Sequence, residues 1–243
     1  MEIVSWNCLN GFDKKKQEAI LDEFPKADII VIQECKRKDM DTFKYNWKYK
    51  NWYGDDQDYK SDLGVAIFSK NYNIDFTDEF NRKFRYVVPY KVVVANEKSL
   101  TLFTVWTKSA KRGKFNYDEN IFKAIESSEY QKYFKDDVIF IGDFNTGYIE
   151  KYPERYTKLQ GNLKTKEFTN CSSGKSEEFK KTFYYDRYGK EYTNDYCFFS
   201  KNLYSRTKEN LVIKVHDDWK NKNGVKRWHG LSDHCPISVK FEL

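Results

Sequence analysis

At 243 residues the chain is long enough to bury a full core, and its 43 Lys and Arg against 37 Asp and Glu leave a formal net charge of +6. That balance permits polyanion binding without requiring it. No apolar run approaches the roughly 20 residues of a helical membrane span, and Met1 to Cys8 lacks the basic and apolar stretches of a secretory leader, so one compact cytoplasmic domain over residues 1–243 is expected.

In chain order, Glu2–Trp6 is the first strand signal. Lys15–Phe24 has helical spacing and is stopped by Pro25. The apolar, β-branched runs Asp28–Ile32, Gly64–Phe68, Tyr86–Ala95 and Leu100–Val105 predict strands, the last two joined across Asn96-Glu97-Lys98 as a hairpin. Tyr117–Phe134 brings Ile121, Ala124, Ile125 and Ser128 near one face and predicts a helix. Val138–Ile141, Thr182–Tyr185, Tyr192–Phe199, Leu211–Val215 and Pro236–Phe241 complete the strands, with Arg187-Tyr188-Gly189-Lys190 as a turn between two of them. The polar stretches Gly161–Lys181 and Lys220–Trp228 read as surface loops. Many strands, few helices and mixed connections predict an α/β protein of two packed sheets flanked by helices.

Five cysteines, Cys8, Cys35, Cys171, Cys197 and Cys235, form no CxxC pair and are odd in number. That argues against a zinc ribbon and a complete disulfide framework. Cys8 and Cys35 adjoin polar candidates, yet strand alternation turns them into the core.

The polar residues carry the chemistry, because apolar strands keep ending on the same kinds of group. Ile3-Val4-Ser5-Trp6 runs into Asn7, Ile29–Ile32 into Gln33-Glu34, and Val138–Ile141 into Gly142-Asp143-Phe144-Asn145. Asp195 sits within a strand and Ser232-Asp233-His234 just precedes one. A carboxylate at a buried strand end needs a proton, a cation or a metal. Mg²⁺ takes hard oxygen ligands, which Glu34, Asp233 and the amide oxygen of Asn7 can help provide. Asp195 is placed to hold one ring nitrogen of His234, and Asp143 and Asn145 to orient or deprotonate a water. Asp143 as base with His234 as phosphate stabiliser, and the reverse, both remain open.

Trp6-Asn7, Gln33-Glu34, Gly142-Asp143-Phe144-Asn145, Asp195-Tyr196 and Ser232-Asp233-His234, in this order over nearly the whole chain, resemble the endonuclease/exonuclease/phosphatase superfamily. The resemblance is to exonuclease III-type apurinic endonucleases and pancreatic-type deoxyribonucleases in particular. It implies a four-layered α/β sandwich and Mg²⁺-dependent phosphoester hydrolysis, with Mn²⁺ able to substitute and DNA as substrate; the sequence indicates no obligate protein partner. It also implies Glu34 as principal metal ligand with Asp233 beside the metal, Asn7 placing metal or phosphate, Asp143 and Asn145 handling water and phosphate, and His234 paired with Asp195. Lys36 resembles a lysine of the family's Gln-Glu-Thr-Lys run. Where the family places a phosphate-binding His or Tyr, this chain has Trp106-Thr107-Lys108. An indole donates one hydrogen bond and cannot titrate, so Lys108 becomes the candidate phosphate contact. A phosphatase of small or lipid phosphates is the alternative on the same fold.

Overall fold

The computed structural model describes residues 1–54, 62–76, 83–95, 98–108, 117–148, 153–172, 181–185, 189–217, 228 and 230–243. The chain opens with β1 (Glu2–Asn7), α1 (Lys14–Glu23) and β2 (Ile29–Lys36). β1 and β2 are parallel, with Asn7 opposite Gln33, so the helix supplies the crossover that parallel neighbours require. It begins where it does because the Asp13 carboxylate caps it, accepting from the Lys16 amide. Then come α2 (Asp39–Thr42), β3 (Tyr49–Gly54), β4 (Leu63–Ser69), β5 (Asn73–Phe76), β6 (Val87–Ala95) and β7 (Lys98–Trp106). The second half holds α3 (Tyr117–Glu126), α4 (Ser128–Gln131), a 3₁₀ turn at Lys132–Lys135, β8 (Val138–Tyr148), α5 (Pro153–Thr165) and β9 (Phe168–Asn170). It ends with β10 (Phe183–Tyr185), β11 (Lys190–Ser200), α6 (Lys201–Thr207), β12 (Val212–Val215) and β13 (Ile237–Lys240).

Two mixed sheets form. One runs β12-β13-β1-β2-β4-β3, the other β10-β11-β8-β7-β6-β5 with β9 added at β11. Residues from both sheets share one core: Val4, Trp6 and Ile32 of the first lie in the same cluster as Tyr90, Leu102, Trp106 and Ile141 of the second. Alternate residues of the second sheet, such as Phe103, Phe140 and Phe198, face outward against Ile121 and Ile125 of α3 and Leu159 and Leu163 of α5. Ile20 of α1 and Met40 of α2 join the core on the side of the first sheet. The layers are helix, sheet, sheet, helix, as expected.

Every strand expected from the sequence is present, with β8 running on from its expected end at Ile141 to Tyr148, and three more appear: β3, β5 and β9. The two hairpin pairings hold, β6 with β7 and β10 with β11, although residues 96–97 and 186–188 of their turns lie outside the described residues. The long helix expected over Tyr117–Phe134 breaks at Ser127, whose hydroxyl caps a new helix by accepting from the Tyr130 amide. The stretch Gly161–Lys181, expected as a loop, instead holds the end of α5 and all of β9; residues 173–180 of it, and 220–227 of the other expected loop, lie outside the described residues. Gly161 hid the helix in the sequence. It is exposed, a β-carbon there would meet nothing within 4 Å, and Tyr156, Leu159 and Leu163 make a buried stripe past it.

Asn7 ends β1 as the sequence suggested, but Glu34 and Asp143 do not end their strands. β2 continues through Glu34 with a register shift between Gln33 and Cys35, so Glu34 is the extra residue of a bulge, with φ 58°. β11 shifts register between Thr193 and Asp195, which explains the polar Asn194: it is the extra residue there. β8 runs on through Asn145, itself at φ 46°. Gly142 precedes it at φ 142°, and a β-carbon there would lie 2.0 Å from the Val105 carbonyl oxygen. Only glycine lets β8 approach β7 so closely.

Candidate active site

The register of the second sheet sets three side chains abreast. Asp143 of β8 lies opposite Trp106 of β7 and opposite Asp195 of β11, so the three project to the same face, toward the first sheet. From the first sheet come Asn7 at the end of β1 and Glu34 in the β2 bulge. The segment Ser232–His234 bridges the two sheets: the Tyr184 amide donates to the Asp233 carbonyl and the Cys235 amide to Thr182, while Ser232 Oγ donates to the Asn7 carbonyl at 2.7 Å and accepts from the His234 amide at 3.1 Å. The Trp6 indole holds the His234 carbonyl at 3.1 Å.

His234 Nδ1 lies 2.9 Å from Asp195 Oδ2, and its Nε2 lies 3.9 Å from Asp143 Oδ2. Asp143 Oδ1 accepts from the Asn145 amide at 2.8 Å, and Oδ2 accepts from Asn7 Nδ2 and Asn145 Nδ2, both at 2.9 Å. Asn7 Nδ2 also reaches Glu34 Oε1 at 3.2 Å, and the Asn10 amide donates to Glu34 Oε2 at 3.0 Å. One amide nitrogen therefore links the two carboxylates. The Asn7 amide oxygen, offered by the sequence as a metal ligand, accepts from the Leu9 amide at 3.1 Å, and its amide nitrogen faces the carboxylates.

Asp143, Asp195 and His234 are buried, whereas Glu34, Asn145 and Asp233 are half-exposed and form the open side. Burial pushes the Asp143 carboxyl up to about 7, with the His234 charge opposing the rise. Burial acts to lower His234, yet the charges of Asp195 and then Asp143 outweigh it and raise the imidazole from 6.5 to about 10. His234 is therefore an imidazolium near neutral pH.

Oxygen and nitrogen atoms of Asp143, Asp195 and His234 lie within 4.8 Å of one another, close enough to share an ion. A metal-bound imidazole must be neutral at the coordinating nitrogen, and both ring nitrogens here face carboxylates, so these three form an ion triad. The donor set around Glu34 suits a divalent cation better: hard carboxylate oxygens are held in place by the Asn7 and Asn10 N–H groups on the open side.

The remaining expected residues divide. Trp106 is buried and stacks on Tyr86 at 5.4 Å, so it serves as a wall. Lys108 Nζ lies 5.4 Å from the centre of the Trp106 ring, bringing a cation to the edge of the row. Lys36 is not drawn into the cluster: its amide donates to Asp39 Oδ2 at 3.1 Å, and its stem lies beside Gly11. Cys8 and Cys35 are core thiols, and all five cysteines are buried and unbridged. His216 contacts Ser238 and Glu23 away from the site, and His229 lies outside the described residues.

Two supports were not visible in the sequence. Thr107 donates through Oγ1 to the Phe144 carbonyl, and its own carbonyl accepts from Asn145 Nδ2 at 3.0 Å, which clamps the Asp143–Asn145 turn to β7. Thr182 Oγ1 accepts from the amides of both Asn194 and Asp195 at 3.0 Å, which pins the β11 bulge. No helix is long and apolar enough to cross a membrane among the described residues.

A family model described as the Endonuclease/Exonuclease/phosphatase family matches residues 4–234. No curated protein sequence matches. Among solved structures, a 3'-5' exonuclease from Neisseria meningitidis superposes with a TM-score of 0.67 at 17% identity over 100% of both chains. An AP endonuclease from Archaeoglobus fulgidus gives 0.65 at 16% over 100% of both. TDP2 from D. rerio, complexed with a single strand DNA product, gives 0.66 at 15% over 100% of this chain and 99% of that one.

Proposed function

The chain belongs to the endonuclease/exonuclease/phosphatase family, and from that premise we propose that it is a Mg²⁺-dependent phosphodiester hydrolase that cleaves DNA, with Mn²⁺ able to replace Mg²⁺. The observation that carries this reading is the pairing of a protonated, buried His234 with a poised Asp143 beside the Glu34 carboxylate. Solved structures of the same fold are named for exonuclease and AP endonuclease activity, and one holds a DNA product, which favours DNA among phosphoesters.

Glu34 would hold the ion, with Asp233 beside it, and an ion bound there would supply positive charge against the phosphate. Asp143, with its pKa near 7, is matched to accept a proton from an attacking water at neutral pH. Asn145 and Asn7 orient that carboxylate. His234, kept protonated by Asp195, donates from Nε2 to a phosphate oxygen and cannot serve as the base. This favours one of the two assignments that the sequence left open. Lys108 adds a point charge at the rim. The buried, unbridged cysteines favour a reducing, cytoplasmic location.

The test is cleavage of plasmid, nicked, abasic and single-stranded DNA beside a panel of nucleotides and phosphoinositides, with Mg²⁺ or Mn²⁺ and with chelator. Metal-dependent strand cleavage beyond that of Glu34→Gln is expected. Phosphate release from the small substrates with DNA left intact would move the activity to phosphatases.

A further inference from the structure

The loop between β1 and α1 touches no reacting atom in the proposed reaction, yet it is built at a cost. Leu9, Asn10 and Gly11 take three consecutive left-handed conformations, with φ of 51°, 58° and 113°. Glycine and asparagine tolerate that region, while leucine is disfavoured there. The curl turns the carbonyls of Cys8, Leu9 and Gly11 toward one point, and Lys16 Nζ fills it, donating to them at 2.5, 2.7 and 2.8 Å. All three ammonium protons are used. Lys16 is buried and stands in the first turn of α1. Burial and the positive end of the helix both disfavour a cation there.

What this arrangement secures is Glu34. The Asn10 amide donates to Glu34 Oε2 at 3.0 Å, and the Gly11 amide to the Glu34 carbonyl at 2.8 Å. The Leu9 amide takes Asn7 Oδ1 at 3.1 Å, so Asn7 Nδ2 faces Glu34 Oε1 and Asp143 Oδ2. Both Glu34 oxygens thus depend on groups that the curled loop positions. Asp39 fastens its far end, with Oδ2 accepting from the Phe12 amide at 2.6 Å and from the Lys36 amide at 3.1 Å, which ties the loop to β2 just past Glu34.

We propose that Lys16 is a positioning residue for the metal-binding carboxylate, holding the Cys8–Phe12 loop in the conformation that aims Glu34 and orients Asn7. The inference rests on the metal-hydrolase reading above. Without the ammonium the three carbonyls lose their common partner, the left-handed run relaxes, and the Asn10 N–H leaves Glu34. Ion affinity falls, while Lys108, the proposed phosphate contact, stays as it was.

The experiment measures Mn²⁺ binding to the full chain by calorimetry without DNA, for wild type, Lys16→Met and Glu34→Gln. Amide exchange at Leu9 and Asn10 is followed in the metal-free proteins. Lys16→Met, unfolding cooperatively in urea, should bind Mn²⁺ about ten- to a hundredfold more weakly. Its Leu9 and Asn10 amides should exchange faster, and its KM for DNA at saturating Mn²⁺ should stay within about twofold of wild type. A purely structural lysine would lower stability and leave the affinity of the folded protein alone, so Mn²⁺ affinity within about twofold of wild type in folded Lys16→Met overturns the proposal. Should Lys16→Met fail to fold, Lys16→Gln takes its place, with the same loss of affinity expected and the same twofold limit overturning the proposal. Equal Mn²⁺ affinity in wild type and Glu34→Gln would instead overturn the metal reading, and this inference with it.

Discussion

Replacing Asp195 by Asn should lower the pKa of His234 without moving its ring. Asp195 Oδ2 accepts from His234 Nδ1 at 2.9 Å, and Oδ1 has no hydrogen-bond partner among the described residues. An asparagine can keep its oxygen on Nδ1 and put its nitrogen where Oδ1 stood, so the exchange removes a charge and breaks no other bond. A hydrogen bond to a charged group contributes about 1.5–3 kcal/mol, which is roughly one to two pH units at about 1.4 kcal/mol per unit. From a starting value of about 10, the imidazolium should then titrate at about 8 to 9, still raised by Asp143 and Asp233. Because the folded pKa lies above the unfolded one, the stability from this ion pair is fully present below pH 6.5 and is lost as the pH rises through 10; in the variant that loss begins earlier. With only three histidines in the chain, ¹⁵N-labelled imidazoles can be followed by NMR in chelator. A wild-type His234 titrating near 6.5, or an unchanged midpoint in Asp195→Asn, would refute the triad.

Asp143 has the opposite sign. Its folded pKa is raised from 3.8 to about 7, so its charge is a burden that sets in above pH 3.8, and urea titrations of metal-free protein should show wild type losing stability relative to Asp143→Asn between about pH 4 and 6.5. A difference independent of pH would contradict the burial argument. The same variant should lose about 10²–10⁴ in turnover, and a near-normal rate would remove Asp143 as base. Lys108→Ala should raise KM for DNA severalfold with kcat within about twofold; an unchanged KM would return Lys108 to the solvated surface. Gly161→Ala should stabilise α5 by about 0.5–1 kcal/mol, since the added methyl meets nothing within 4 Å; a lower midpoint in thermal melting would show that the helix needs that glycine.

Much of the site was legible because its groups sit in short motifs beside apolar runs. Asn7, Glu34, Asp143 and Asn145 meet in one hydrogen-bonded cluster, and the His234–Asp195 pair joins it where His234 Nε2 comes within 3.9 Å of Asp143. Their aim was not legible. Glu34 and Asp195 depend on bulges, whose extra residue leaves no mark in a pattern of alternating polarity. Nor did the sequence reveal that Asn7 presents its nitrogen, because a hydrogen bond with Leu9 decides it. Lys16 belongs to the run Lys14-Lys15-Lys16, in which nothing sets it apart until the curl of the loop is seen. The missed strands are polar or short, as Tyr49–Gly54 and Phe168–Asn170 illustrate, and only a neighbouring strand makes them strands. The basic run Lys36-Arg37-Lys38 is used for packing in part, with the Arg37 guanidinium 5.9 Å from the Trp52 ring centre.

The most direct test of the central claim is the initial rate of DNA strand cleavage as a function of Mg²⁺ concentration, for wild type and Glu34→Gln, with a chelator arm. The account predicts wild-type cleavage that saturates with Mg²⁺ and vanishes in chelator, and a Glu34→Gln variant that needs at least about tenfold more ion to reach half its maximum. Cleavage that survives chelation, or an identical Mg²⁺ dependence in the two proteins, would contradict it.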